Sequence, residues 1–211
     1  MSTASTPRAP GPVDRALGRF PPVPKLHRPW RVQPNLWDYD AERAGFSWEA
    51  ARQALDGLPR GRGLNIAHEA IDRHAAGSAA NKVAIRWLGR GGARQDLTYD
   101  DLRRRTNRFA NALRGRGVRK GEVVATLLGR VPPLYVAALG TLKNACVYTP
   151  LFSAFGPDPI VARLAKARAR VLVTTATLFV RKVLPVRGQL PDLEHVFVIK
   201  DRSGPPPAGT L

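Results

Sequence analysis

The sequence predicts an α/β protein with a mostly parallel, doubly wound sheet. Four short apolar runs in the second half of the chain are typical of strands buried on both faces: VVATLLG, CVYTPL, RVLVTT and EHVFVIK. Helical segments separate these runs, and strands that alternate with helices indicate βαβ units. The length of 211 residues is sufficient for one domain with a hydrophobic core.

The first third of the chain predicts a tail and a helical lead rather than sheet. Residues 1–34 are rich in proline and have no apolar periodicity, which predicts a disordered basic tail. Residues 35–64 predict a helical lead segment with a short amphipathic helix in its second half. We assign the α/β domain to residues 65–200 and a terminal loop to residues 201–211.

Two further elements lead into the sheet. The segment GLNIAHEAIDRHAA predicts a helix that Asn65 caps, with Ile66, Ala70 and Ile71 in one apolar stripe. The segment NKVAIRWLG alternates apolar and polar side chains and predicts a strand. The glycines of GRGGAR predict a loop that joins this strand to the next helix.

The clearest helix follows in the segment LTYDDLRRRTNRFANALRGRG. Thr98 is its expected N-cap, and Asp100 and Asp101 lie in the first turn, where the helix dipole favours acidic side chains. The apolar stripe of this helix comprises Leu102, Thr106, Phe109, Ala110 and Leu113. Three later helices, PPLYVAALGTLKNA, DPIVARLAKARA and ATLFVRKVLPVRG, alternate with the four strands, and we expect Pro185 to end the last of them.

The cysteine count and the hydropathy restrict the class of protein. Cys146 is the single cysteine, so a disulfide framework is excluded and a reducing compartment is expected. No stretch is apolar enough to span a membrane, and the first thirty residues lack the apolar core of a secretory signal. We therefore expect a cytoplasmic protein with no membrane partner.

The net charge of +18 raises nucleic-acid binding as an alternative function. Basic side chains interleaved with aromatic ones on one surface would favour that alternative. The arginines are instead scattered through the predicted helices, and the four tryptophans are also scattered. We expect solvated basic surfaces and no specific nucleic-acid partner.

Widely used catalytic motifs are absent from the sequence. It contains no GxxxxGK phosphate loop, no GxGxxG after a strand and no GxSxG elbow. The four histidines are not paired with cysteine at the spacing of a zinc site. Because ligands bind beyond the carboxyl ends of the strands in open α/β sheets, the loops GRVPP, PLFSAFGPD and TTAT are the expected place for a site.

Five segments extend the interpretation beyond fold class: NIAHEAIDRH, LTYDDL, GVRKGEVVA, PLFSAFGPDPIVARL and RVLVTT. In this order and spacing they resemble the N-terminal part of AMP-forming acetyl-CoA synthetases and related acyl-CoA ligases, within the adenylate-forming superfamily. The similarity covers residues 35–200. It implies the N-terminal half of the large domain of such a ligase, in which a carboxylate attacks the α-phosphate of ATP and coenzyme A then displaces AMP.

The resemblance also implies which functional parts this sequence lacks. In the family, the phosphate loop follows shortly after the point at which this sequence ends, and the ribose anchor, acyl pocket and catalytic lysine come later. We therefore expect the N-terminal portion of an acetate or acyl-CoA ligase, inactive alone and without a catalytic residue of its own. The family uses ATP, Mg²⁺ and coenzyme A; we assign none of these cofactors to this chain alone, and coenzyme A is a candidate partner.

The resemblance leaves two roles open besides catalysis. A C-terminal polypeptide that completes the ligase domain is the candidate partner. The alternative is a non-catalytic α/β module that binds a partner or coenzyme A.

The resemblance assigns one loop to the edge of the substrate cleft. Its residues are Phe152, Ser153, Phe155 and Gly156, and we call the segment 152–156 the cleft loop. The alternative is that both phenylalanines belong to the core and that Gly156 only permits a turn.

The resemblance also indicates candidate contacts for the phosphates of coenzyme A. After RVLVTT the family has basic residues with this role, and Arg181, Lys182 and Arg187 occupy the corresponding region. The alternative is a solvated basic face of a helix.

Overall fold

A four-stranded parallel sheet lies at the centre of the second half of the chain. The computed structural model describes residue 32, residues 34–199 and residues 207–211. The six strands found there are β1 (Val83–Leu88), β2 (Arg94–Thr98), β3 (Val123–Leu128), β4 (Val147–Phe152), β5 (Ala169–Thr175) and β6 (His195–Ile199). The sheet order β4-β3-β5-β6 is parallel throughout, which confirms the predicted α/β fold class.

The helices precede the sheet or connect its strands. They are α1 (Tyr39–Gly45), α2 (Trp48–Gln53), α3 (66–75), α4 (Tyr99–Gly115), α5 (Pro132–Lys143), α6 (Pro157–Lys166) and α7, which begins at Ala176–Leu178. The helices α4 and α5 cover one face of the sheet and α6 and α7 the other, so each face has its own apolar cluster. No helix in the described part of the chain is long and apolar enough to cross a membrane.

The chain divides into two compact units, Met1–Ser47 and Trp48–Leu211. The described part of the first unit contains α1, whose N-cap Asp38 accepts a hydrogen bond from the Ala41 amide at 3.0 Å. Most of the predicted tail at residues 1–34, and residues 201–206 of the predicted terminal loop, lie outside the described residues.

The end of the chain contacts the edge of the sheet. Within the predicted terminal loop, the Leu211 amide donates to the Val196 carbonyl at 2.9 Å. The Val198 amide donates to the Leu211 carbonyl at 2.8 Å, so Leu211 lies against β6 as a neighbouring strand would.

The helix α4 forms as its sequence predicts. The Thr98 side chain accepts from the Asp101 amide, and the Asp101 side chain accepts from the Thr98 amide, which makes a complete capping box. The buried residues of α4 belong to the predicted stripe: Leu102, Thr106, Ala110 and Leu113.

Three local predictions are wrong. The sequence predicted only a loop between β1 and α4, whereas β2 pairs there with β1 in an antiparallel hairpin. The strand was missed because Leu97 is its one buried residue among polar side chains. In α3, Ile66 and Ala70 are exposed, and the helix contacts the core through Ala67 and Ile71.

The third wrong prediction concerns the end of α7. It continues as a π-helical turn, Phe179–Val183, and a 3₁₀ segment, Leu184–Gln189, that passes Pro185. Proline is tolerated there because it lies at the start of the 3₁₀ segment, where its missing N–H breaks no regular helical bond.

Candidate functional site

The connectivity of the sheet indicates where a ligand would bind. From β3 the chain moves through α5 to β4 on one side, and from β4 it crosses back through α6 to β5 on the other. The carboxyl ends of β3 and β5 therefore flank the point where the strand order reverses. The loops that follow β3, β4 and β5 lie at this edge of the sheet.

The cleft loop presents an aromatic ring at this edge. Phe152 at the end of β4 is 65% exposed, so it is not a core residue. Phe155 is half-buried, packs against the core cluster and meets the Phe152 ring edge-on, with ring centroids 5.7 Å apart. Gly156 is the N-cap of α6 in an extended conformation with φ −74°, which a residue of any type can adopt.

A cation lies over the second ring of the loop. The Arg163 guanidinium on α6 is 4.4 Å from the centroid of the Phe155 ring. Its Nη1 also donates to the Pro159 carbonyl at 3.1 Å, which restricts the side chain to this position. The contact is a cation–π pair that connects α6 to the cleft loop.

Lys182 is the residue that joins α7 to the cleft loop. Its Nζ donates to the carbonyl oxygen of Ser153 at 2.6 Å and to that of Phe155 at 2.8 Å. The structure thus brings together two groups that the sequence predicted separately, the cleft loop and one of the three candidate phosphate contacts.

The other two candidate phosphate contacts have different surroundings. Arg187 donates to the Leu190 carbonyl at 2.8 Å and to the Leu193 carbonyl, so its guanidinium is engaged by the connection to β6. Arg181 is exposed, and no hydrogen bond or ion pair to it is found among the described residues.

Trp87 is a residue of this edge that the sequence analysis did not identify. Its Nε1 donates to the Arg130 carbonyl at 2.7 Å, so the β1–β2 hairpin holds the loop after β3. Gly89 lies under the indole, where a Cβ atom would overlap the ring. The sequence signal for this contact is the spacing of Trp87 and Gly89, an aromatic residue two positions before a glycine. That signal does not identify the acceptor, because Arg130 lies 43 residues away in the chain.

A charged cluster lies at the opposite, amino edge of the sheet. Arg170 donates to the carboxylates of Glu122 and Glu194 and to the Gly117 carbonyl. The Arg119 amide and the Arg170 guanidinium lower the pKa of Glu122, and Arg170 lowers the pKa of Glu194. The cluster ties together the starts of β3, β5 and β6, and it borders a cavity of about 340 Å³.

Burial raises the pKa of two side chains at the start of β4, Tyr148 and Cys146. The Tyr148 hydroxyl lies 2.9 Å from the Thr126 hydroxyl, and burial raises the pKa of Tyr148. Burial also raises the pKa of the Cys146 thiol, which disfavours the thiolate that nucleophilic chemistry requires.

Comparisons with known proteins agree on one family. The model of the family "AMP-binding enzyme" matches residues 71–209. The acetyl-coenzyme A synthetase of Bacillus subtilis is 38% identical over 168 residues, which are 78% of this chain and 28% of that enzyme.

Two solved structures share the fold. An acyl-CoA synthetase from Brucella canis has a TM-score of 0.67 and 32% identity, covering 82% of this chain and 30% of that one. An anthranilate CoA ligase in complex with anthranoyl-AMP has a TM-score of 0.57 and 28% identity, covering 64% of this chain and 25% of that one. The chain thus spans less than a third of the length of these relatives.

Proposed function

Since this chain belongs to the AMP-binding enzyme family, we propose that it forms the N-terminal portion of an AMP-forming acetate or acyl-CoA ligase. The reaction is the conversion of a carboxylate, ATP and coenzyme A to acyl-CoA, AMP and diphosphate. The observation that carries the proposal is the aromatic cleft loop at the carboxyl edge of a parallel sheet whose sequence is similar to acyl-CoA synthetases.

In this proposal the chain supplies one wall of the substrate cleft. Phe152 offers an exposed aromatic ring at the edge of the sheet, next to the loop that Trp87 holds after β3. Rings of this kind pack against planar or apolar parts of a ligand. Arg181, whose charge is exposed, is the better placed of the three basic candidates to meet a phosphate group of coenzyme A.

We further propose that the 211-residue chain alone forms no acyl-adenylate. Adenylation needs preorganised donors around the phosphates of ATP, and losing one such donor costs about 10²–10³ in rate. The sequence contains no phosphate loop with a lysine. Within residues 34–199 and the other described positions, no group of three or more His, Cys, Asp or Glu side chains is arranged to hold a metal ion.

A pyrophosphate-release assay tests both proposals. The chain would be assayed with acetate, ATP and coenzyme A, alone and fused to the part of the Bacillus subtilis enzyme that it does not match. We expect acetate-dependent release from the folded fusion and none from the chain alone. Release by the chain alone would refute the second proposal, and a folded but inactive fusion would refute the first.

Two binding measurements address the alternative functions. Calorimetric titration of the chain with coenzyme A tests the non-catalytic module, which predicts binding without any acetate-dependent turnover. Filter binding to duplex DNA at rising salt tests the nucleic-acid alternative, because contacts to phosphates weaken steeply as salt increases.

A further inference from the structure

The Lys182 side chain hydrogen-bonds to backbone carbonyls of the cleft loop. Its ammonium group approaches the Ser153 and Phe155 carbonyl oxygens, 29 and 27 residues earlier in the chain. Hydrogen bonds from a charged donor are stronger than those between neutral groups. Two of the three N–H donors of the ammonium are used by one turn of loop backbone.

The turn that Lys182 holds is short and closed. The Phe155 amide donates to the Phe152 carbonyl at 3.0 Å, which closes a four-residue turn, and the carbonyls of Ser153 and Phe155 both belong to residues of this turn. Lys182 thereby restrains the 153–154 and 155–156 peptide planes, and the Phe155 amide bond restrains the plane between them, so the direction in which Phe155 leaves the backbone is set. The edge-on contact of the two rings passes this constraint to the exposed Phe152 ring.

The elements on either side of the loop are firmly packed. Phe179 and Val183 of the π-helical turn that carries Lys182 are buried in the core cluster, together with Ile160 and Leu164 of α6. Lys182 therefore projects from a rigid base onto a loop that is itself partly exposed. A rigid support behind an exposed contact loop is the arrangement by which proteins position binding residues.

We propose that Lys182 is a positioning residue that fixes the cleft loop, and through Phe155 the exposed ring of Phe152, at the edge of the substrate cleft. The assignment of the loop to a substrate cleft rests on the proposed function, whereas the effect of Lys182 on the loop does not. This role differs from the phosphate contact that the resemblance implies for Lys182, because its ammonium donates to protein carbonyls.

Amide hydrogen exchange measured by NMR on the full chain tests the inference directly. Lys182→Met keeps the length and apolar stem of the side chain but removes all donors. We expect the Phe155 amide to exchange about tenfold faster or more in this variant, because opening of the turn becomes easier. Amides of β5 should keep their exchange rates within about twofold, since the core is unchanged.

Two further variants separate positioning from general effects of charge. Arg181→Met removes a positive charge from the adjacent residue, which is exposed, and should leave the Phe155 amide unaffected. Lys182→Arg should restore slow exchange, because a guanidinium can also donate to two carbonyls. If Lys182→Met does not fold, Lys182→Gln takes its place, with faster exchange again expected.

The outcomes distinguish this inference from the proposed function. Unchanged exchange of Phe155 in Lys182→Met, or an equal change in Arg181→Met, would overturn the positioning role whatever the activity assay gives. Fast exchange confined to the cleft loop, with rescue by Lys182→Arg, would support the role even if the ligase fusion were inactive.

Discussion

The indole nitrogen of Trp87 lies 2.7 Å from the carbonyl oxygen of Arg130, and this bond joins the β1–β2 hairpin to the first loop at the carboxyl edge of the sheet. The hairpin is a two-stranded sheet of its own, and Leu97 also packs against Leu102 of α4. A two-stranded hairpin is only marginally stable in isolation, so its attachment to neighbouring elements matters. The Trp87 bond gives the hairpin a second role, because it restrains a loop beside the candidate cleft.

Trp87→Phe should weaken this attachment while it keeps most of the apolar contact. We expect the free energy of unfolding to fall by about 1 kcal/mol, the usual contribution of one hydrogen bond. Urea denaturation would measure the fall, and amide exchange should quicken at residues 129–131. Trp37→Phe, at an exposed position in the first unit, is the control and should have no effect on either measurement.

Gly140 should not tolerate a side chain, because α4 and α5 approach each other closely there. A Cβ at this position would lie 2.8 Å from Phe109 Cδ1 and 3.0 Å from the Thr106 carbonyl oxygen. We expect Gly140→Ala to lower the free energy of unfolding by about 1–3 kcal/mol, the typical cost of overpacking. Gly115→Ala is the matched control, since a Cβ there meets nothing within 4 Å. Equal stability of the two variants would contradict the close approach of the helices.

Lys143 and Asp72 form a partly buried ion pair that should behave as a unit. The Lys143 Nζ lies 2.6 Å from the Asp72 Oδ1 and 2.6 Å from the Asn107 Oδ1, and its side chain is only 8% exposed. Removal of one partner leaves the other charge uncompensated, so Lys143→Met should lower the free energy of unfolding by about 2–3 kcal/mol. This loss is smaller than for a fully buried pair because Asp72 is partly exposed.

The double variant Lys143→Met, Asp72→Asn tests the coupling of this pair. We expect it to be more stable than Lys143→Met alone, since no unpaired carboxylate then remains. Thermal denaturation of the wild type, both single variants and the double variant gives the coupling energy. Strictly additive effects would show that the two side chains do not depend on each other.

The parts of the fold that the sequence predicts are those with strong local signals. The strands β3 and β5 are continuous apolar runs, and the cap of α4 is a short-range pattern in which Thr98 and Asp101 are three residues apart. Such signals depend on neighbours in sequence and need no knowledge of tertiary contacts. The strand β2 gives no such signal, because tertiary pairing with β1 and not apolar alternation stabilises it.

The candidate site was predictable only in its composition. The sequence places aromatic and basic residues at the carboxyl edge, but it does not indicate that Lys182 donates to the Ser153 and Phe155 carbonyls. Backbone carbonyls have no sequence signature, and every residue offers one. For the same reason the partner of Trp87 could be found only in three dimensions.

The charged cluster at the amino edge predicts how stability responds to acid. The Arg119 amide and the Arg170 guanidinium hold the pKa of Glu122 below its ordinary value of 4.5. A carboxylate whose folded-state pKa is lowered stabilises the fold above its unfolded pKa, and this contribution is lost as the pH falls through the folded-state value. We therefore expect the free energy of unfolding to decrease as the pH falls from about 5 to about 3.

Glu122→Gln should remove one part of that decrease. The variant should be less stable than the wild type at neutral pH, because Arg170 loses one of its two carboxylate partners. Its stability should also change less between about pH 5 and about pH 3, because an amide does not titrate, while Glu194 and Asp101 keep their own contributions. Urea denaturation at several pH values measures both effects, with Glu42→Gln on the exposed helix α1 as the control. If the wild type and Glu122→Gln lost stability in parallel over this range, the ionised Glu122 would not be a source of the acid sensitivity.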